Sequence, residues 1–224
     1  MYFRQIWTIA TKDLRAELRT KEALNASLAF SVVILILFSF AFDQAEGFET
    51  FAGGLLWLVY SFAGALTLNR SFARELQNDC LDALISSPAP SSAVFTGKVI
   101  ANYLLLLAVE LISLGIFTVL YDVRLSGKFW PLALVIVLAT WAMCVIGTLF
   151  SALTVNLQMR ELMLPVLIYP FLIPPLMAAM VLTTDLLMGT GFTSANWIWV
   201  QVLVAFDVVF TALAVVFIDV VLVG

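Results

Sequence analysis

Six runs of roughly 20 mostly apolar residues follow one another along this chain, and each is long enough to cross a hydrocarbon core of about 30 Å as a helix. They lie at about 25–42, 51–69, 99–120, 129–154, 162–183 and 197–223. A lipid-embedded segment has no water to bond its N–H and C=O groups, so it must satisfy them internally. A transmembrane barrel would show short alternating segments instead. A soluble domain needs a charged surface, and only 12% of the 224 residues are charged while 63% are hydrophobic. The expected fold is an all-α polytopic membrane protein with six transmembrane helices, forming one transmembrane domain over residues 1–224.

The basic residues predict the orientation, because Lys and Arg concentrate on the cytoplasmic side. With the N-terminus inside, the inner segments hold Arg4, Lys12, Arg15, Arg19, Lys21, Arg70, Arg74, Lys98 and Arg160. The outer loops then hold only Arg124 and Lys128. This asymmetry predicts an N-in, C-in topology. Residues 1–22 read as an amphipathic interfacial helix. Phe3, Ile6, Trp7, Ala10, Leu14 and Leu18 fall at helical spacing, with the bases mostly on the other side. Such a helix suits the membrane surface; the plainer alternative is a helix that packs on neighbouring spans.

Residues 70–98 form the longest polar interruption between spans, and the topology puts them in the cytoplasm. Within them, Phe72, Leu76, Cys80 and Leu84 recur every four residues, while Arg74, Glu75, Asn78, Asp79 and Asp82 take the opposite side. That pattern predicts an amphipathic surface helix over 71–85. Pro88 and Pro90 end it, because proline cannot continue the hydrogen-bond ladder. An ordinary solvated loop is the alternative.

Inside the spans, Glu110, Gln201 and Asp207 stand out, with Asp219 near the inner end of the last run. A charge at mid-bilayer costs roughly 2.5–3.5 kcal/mol on insertion scales and usually faces a partner, water or a functional path. Glu110 and Asp207 are therefore functional candidates. For Glu110 the plainer reading is a neutral carboxyl hydrogen-bonded between helices. The fifth run carries Pro165, Pro170, Pro174 and Pro175. Pro165 fits a first turn, whereas Pro170, Pro174 and Pro175 are expected to kink or break the helix. The carbonyls they free should face the bundle or a subunit interface.

Catalytic chemistry finds little support. The chain has no His, which removes the usual neutral-pH acid–base group and the commonest haem and metal ligand. Two cysteines, Cys80 and Cys144, suggest no disulfide framework. Gly97-Lys98 fails as a nucleotide-binding loop, which needs Gly five residues before that glycine and Ser or Thr after the lysine. Ser92 and Val99 occupy those places. The chain is expected to be no enzyme and to bind no cofactor directly.

The pattern Arg74-Glu75, Leu81-Asp82-Ala83-Leu84, Ser87-Pro88 and Gly97-Lys98 resembles the permease subunits of ABC-2-type transporters. Residues 68–79 and the proline-rich fifth run, Leu164-Pro165 through Pro170 to Ile173-Pro174, are closer still to the haem exporter B (CcmB) family of cytochrome c maturation. Asp79 departs from that family, which usually places Gly there. The resemblance implies a permease subunit of the bacterial inner membrane that transmits ATP-driven motion from a separate ATPase. The partners it implies are that ATPase, a second copy of the chain, and two further membrane proteins of the maturation system, its haem-handling C component and its small D component. Release of the haem-loaded periplasmic chaperone, the E component, would be the outcome. ATP would bind the ATPase and haem a partner protein. The helix over 71–85 becomes a coupling helix, with Phe72, Arg74, Glu75, Leu76, Asp79, Asp82, Leu84 and Pro88 as its contact residues. The alternatives are an ABC-2 permease exporting another lipid or small molecule, or a proton-coupled secondary transporter using Glu110 and Asp207.

Overall fold

The computed structural model describes residues 2–41, 48–72, 75–76, 89–123, 125, 127–154, 160–189 and 196–223. These residues form seven helices: α1 (Tyr2–Thr20), α2 (Glu22–Ala41), α3 (Phe48–Leu68), α4 (Ser91–Leu120), α5 (Phe129–Thr154), α6 (Arg160–Met188) and α7 (Asn196–Val223). α2 to α7 are each long and apolar enough to span a membrane, which makes this a multi-pass membrane protein. The chain is all-helical in its described residues, as the apolar runs require.

Two spans differ most from their sequence-based expectations. The third is expected to start near Val99, but α4 starts at Ser91 directly after Pro90, whose φ of −62° and ψ of 145° set up the first turn. Its 30 residues make a rod of about 45 Å at 1.5 Å per residue. That exceeds a hydrocarbon thickness of about 30 Å, which a helix accommodates by tilting or by extending past the lipid. Residues 91–98 are polar enough to look like loop, but nothing after Pro90 stops a helix. The fifth span is expected to kink or break at its prolines, yet α6 runs as one α-helix through Pro165, Pro170, Pro174 and Pro175 as far as Met188. Pro175 is buried, whereas Pro170 and Pro174 are exposed on the outer side of the helix. Membrane helices tolerate proline where neighbouring groups and local adjustment re-satisfy the freed carbonyls.

α3 and α5 form the centre, with 67% of the most apolar stretch of each buried, while α2 and α7 lie outside with 22% and 17%. Small residues allow the close approaches. A Cβ on Gly53 of α3 would stand 2.8 Å from both Met180 O and Thr184 N of α6, which is backbone against backbone. Gly64 receives the Met143 side chain from α5, and Gly147 of α5 receives Leu68. Lipid tails are as apolar as Leu, so such close packing, rather than hydrophobic exclusion, drives helix association here.

Polar groups add links across the bundle. Trp57 Nε1 donates to Thr183 Oγ1 at 2.9 Å, and Tyr121 OH donates to Leu35 O at 2.8 Å. Ser27 and Thr67 hydroxyls meet at 3.0 Å between α2 and α3. Such bonds contribute on average about 0.6 kcal/mol each in a bilayer.

The corner between α1 and α2 is sharp. Lys21 has φ of 56°, a left-handed conformation that is uncommon outside glycine. The Glu17 carboxylate caps α2 by accepting from Ala23 N at 2.8 Å and Leu24 N at 3.1 Å. α1 then lies against α4. Ile6 and Ala10 are buried there, while Phe3 and Trp7 remain exposed. The apolar stripe of α1 is thus divided between a side packed on α4 and an exposed side, so the packing reading of the segment holds in part.

Glycine packing gives a direct test. Gly53→Ala should destabilise the fold by about 1–3 kcal/mol, because neither backbone atom facing it can yield cheaply. Gly115, which has nothing within 4 Å, should be neutral or slightly stabilised as alanine. Thermal unfolding of the two detergent-solubilised variants checks the contrast, and equal melting temperatures would disprove it.

Candidate functional site

The described residues hold one dense ionic cluster, at the end of the bundle where α1 packs. Its centre is Lys98, two turns into α4 and only 1% exposed. Its ammonium donates to Glu75 Oε1 at 2.7 Å, Ser71 O at 2.8 Å and Asp13 Oδ2 at 3.1 Å. A lysine has three donors, and all three are used. The Phe72 ring lies 4.7 Å from the same nitrogen, close enough for a cation–π contact. Lys12 closes the ring, 3.0 Å from Asp13 Oδ1 and 3.1 Å from Glu75 Oε1. Two cations thus face two anions, while Glu75 Oε2 has no hydrogen-bond partner among the described residues.

The cluster joins three parts of the chain that are distant in sequence: α1, the segment after α3, and the start of α4. Asn102, one turn beyond Lys98, extends it inward by donating to Ser71 Oγ at 2.8 Å and Thr148 Oγ1 of α5 at 2.9 Å. Gly97 makes the approach possible, because a Cβ there would stand 2.9 Å from Ile6 O and Ile9 of α1. A cleft of about 260 Å³ opens beside these groups, bordered by Glu17, Thr67 and Arg70 among others. Arg70 pairs with Glu22 at 2.8 Å on the surface.

Electrostatics follow from the geometry. Burial pushes the Glu75 carboxyl up, but Lys98 and then Lys12 outweigh it and hold the group below its ordinary value of 4.5. Burial pushes Lys12 down, but Asp13 and Glu75 outweigh it and hold the ammonium above its ordinary value of 10.5.

Three of the expected coupling positions are in view. Phe72 and Glu75 are buried against α4, and Leu76 is half-exposed. Leu76 N bonds Phe72 O at 3.3 Å, while residues 73–74 and 77–85 of the expected helix lie outside the described residues. Arg74, Asp79, Asp82, Leu84 and Pro88 lie outside the described residues. The sequence does not single out Lys98, Asp13 and Asn102 as site residues. A signal exists: Lys98 and Asn102 sit four apart, hence on one face of a helix that is otherwise apolar.

The intramembrane candidates occupy separate places. Glu110 is fully buried; Thr140 Oγ1 donates to its Oε2 at 2.6 Å, and Tyr60 OH donates to its main-chain oxygen at 3.0 Å. Its Oε1 has no partner among the described residues. The bond to Thr140 is the interhelical hydrogen bond of the plainer reading. Asp207 lies on α7 at the edge of the bundle, and no hydrogen bond joins it to Glu110. Pro170 and Pro174 stand on the exposed side of α6, and Pro175 on its buried side.

These features define a polytopic helical membrane protein whose first helix, post-α3 segment and fourth helix are clamped at one end by ion pairs. The chain belongs to the CcmB family: residues 4–221 match the family described as CcmB protein. It is 32% identical over 169 residues to heme exporter protein B of Rhodobacter capsulatus, covering 75% of this chain and 77% of that protein. It is 29% identical to the Paracoccus denitrificans protein of the same name over 74% of this chain and 76% of that one. The Pseudomonas aeruginosa heme exporter protein B is 26% identical over 92% of both chains.

The clamp makes two predictions. Lys98→Met strands the buried Glu75 carboxylate and should cost up to about 3–5 kcal/mol, read as increased deuterium exchange in α1. Adding Glu75→Leu should recover much of that loss, since the neutral pair leaves less uncompensated charge; no recovery would refute the clamp. The second prediction concerns pH. Glu75 is depressed in the fold, so its contribution is present above the ordinary carboxyl value and lost as pH falls through the lower folded value. Lys12 is raised, so its contribution is present below the ordinary lysine value and lost as pH rises through the higher folded value. Protection of α1 amides should therefore form a plateau across neutral pH, falling below about pH 4 and above about pH 10.5. A change centred near pH 7 would contradict this assignment.

Proposed function

We propose that this chain is the permease subunit of an ABC transporter complex for cytochrome c maturation, seated in the bacterial inner membrane. In that complex it carries ATP-driven motion from a separate ATPase to haem handling and release of the haem-loaded periplasmic chaperone. Membership of the CcmB family and the heme exporter names of its relatives support this setting. The observation that carries the mechanism is the Lys98 clamp. Anchored through Phe72 and Glu75 to α4 and α1, the start of the coupling helix moves with two membrane-associated helices as one body. A push on its outer side, near Leu76, is delivered to the bundle rather than absorbed by a loose loop.

In this reading the cluster lies on the cytoplasmic side, as the nine-to-two distribution of bases supports. Arg74, Asp79, Asp82, Leu84 and Pro88 complete the ATPase contact. A second copy of the chain, the haem-handling C component and the small D component complete the membrane assembly. Haem is cargo of the complex and is held by a partner. This chain has no His, Cys144 is sealed in the core, and Met and Tyr are weaker anchors for haem iron.

Co-purification is the decisive experiment: an ATPase and a haem-containing, His-bearing membrane protein should be recovered with this chain, and their absence would refute the proposal. Glu75→Lys places a third cation against Lys98 and Lys12. It should uncouple ATP hydrolysis from chaperone release by about tenfold or more while the complex still assembles, a loss comparable to breaking a hydrogen-bonded charge pair. Pro170→Ala with Pro174→Ala should regularise α6 and lower cytochrome c yield; an unchanged yield would remove α6 from the mechanism.

A further inference from the structure

α1 presents three faces in succession, and among the described residues only one of them is covered. Ile6, Ala10 and Glu17 are buried, and Asp13 beside them enters the clamp. At about 100° per residue, the next face round the helix carries Phe3, Trp7 and Leu18. These stay 83%, 63% and 55% exposed. The face after that carries Arg4, Arg15 and Arg19, which are exposed as well. No ion pair joins these three arginine side chains to any described residue. Lys12, by contrast, is engaged in the clamp.

The place of this surface is set by the next helix. α1 ends at Thr20 and the spanning helix α2 starts at Glu22, with Lys21 alone between them. The last turn of α1, with Leu18 and Arg19, therefore stands where a span begins, at the level of the lipid headgroups. The order of the faces suits that level. The packed side fixes the rotation of α1 against α4. The apolar side lies roughly a quarter-turn on, and the basic side roughly a quarter-turn beyond it. A helix lying in the interface plane needs such an arrangement, with large apolar side chains in the acyl boundary and cations beside them among the headgroups.

Charge complementarity chooses the occupant. A two-fold contact with a second copy would set this patch against itself and bring two sets of three arginines together. Zwitterionic lipid would cover Phe3, Trp7 and Leu18 but leave the arginine charge unbalanced. An anionic phospholipid does both, because its tails meet the apolar face and its phosphate accepts from guanidinium groups in bidentate geometry.

We propose that the exposed side of α1 is a binding surface for anionic phospholipid, with Phe3, Trp7 and Leu18 in the acyl boundary and Arg4, Arg15 and Arg19 on the headgroups. The inference does not depend on the ATPase reading. Lipid held on one side of α1 and the clamp on the other together fix the rotation of the helix that carries Lys12 and Asp13.

The test is photo-cross-linking of the full chain in vesicles of phosphatidylcholine mixed with phosphatidylglycerol. A photoreactive residue replaces Leu18, one position from Arg19 and three from Arg15, and a control replaces the exposed Val33 of α2. The Leu18 probe should capture phosphatidylglycerol over phosphatidylcholine by about threefold or more relative to the bulk ratio, since each base near a charged surface is worth about fivefold before screening. The Val33 probe should report the bulk ratio. R4Q/R15Q/R19Q should bring the Leu18 ratio to the bulk value while lipid capture continues. High salt should lower the preference of the unchanged arginines, as screening requires. If R4Q/R15Q/R19Q fails to fold, the salt series decides the matter. The same probe in native membranes should yield lipid adducts. Adducts there with a polypeptide instead of lipid, a Leu18 ratio equal to that at Val33, or a preference indifferent to both the arginine substitutions and salt would overturn the proposal.

Discussion

The Lys98 ammonium is the point on which one end of the molecule depends. It is buried, and its three protons go to Asp13 of α1 and to Ser71 and Glu75 beyond α3. Removing it would leave Asp13 and Glu75 with only the half-exposed Lys12 between them, and α1 would lose its polar anchor on α4. The close approach at Gly97 depends on the same contact. Buried ion pairs add little net stability against well-packed apolar groups. Their value here is geometric, because they hold three chain segments in one register.

The rest of the bundle is held differently. In the membrane interior, α3 meets α6 at Gly53, and α3 meets α5 at Gly64 and Gly147. Single hydrogen bonds such as Trp57 to Thr183 add direction. The centre is thus packed and largely uncharged, while the charged clamp is confined to one end. A force applied near the clamp reaches α4 first, and α4 touches the bundle core through Asn102 and the main chain at Glu110. Asp207 belongs to neither system. It is buried on the packed side of α7, the side that also carries Leu203, Ala214 and Ile218.

The spans are legible in the sequence because a run of apolar residues in lipid has one low-energy backbone solution, the helix. Six are expected, and the described residues form six helices long and apolar enough to span; the fourth agrees in its extent, 129–154. The start of α4 is not legible, because Ser91 to Lys98 has loop-like composition; Pro90 places the boundary, and helical bonding then continues without interruption. The prolines do not break α6, because neighbouring groups in a packed membrane helix can re-satisfy the carbonyls they free. The four-residue repeat predicts a helix over 71–85, most of which lies outside the described residues. The inward direction of Phe72 and Glu75 is not legible, since such a repeat gives a face but not what that face meets.

By itself, the sequence determined the class of the protein, the number and approximate limits of its spans, and the want of any nucleotide loop. Each of these depends on local composition and on the hydrogen-bonding demands of the backbone. Only the tertiary structure decided which polar residues act together. Asp13, Glu75 and Lys98 are separated by 62 and 23 residues along the chain, and no periodicity relates them. Their meeting depends on how α1 turns at Lys21 and lies on α4, a packing choice made by small residues and matched charges in three dimensions.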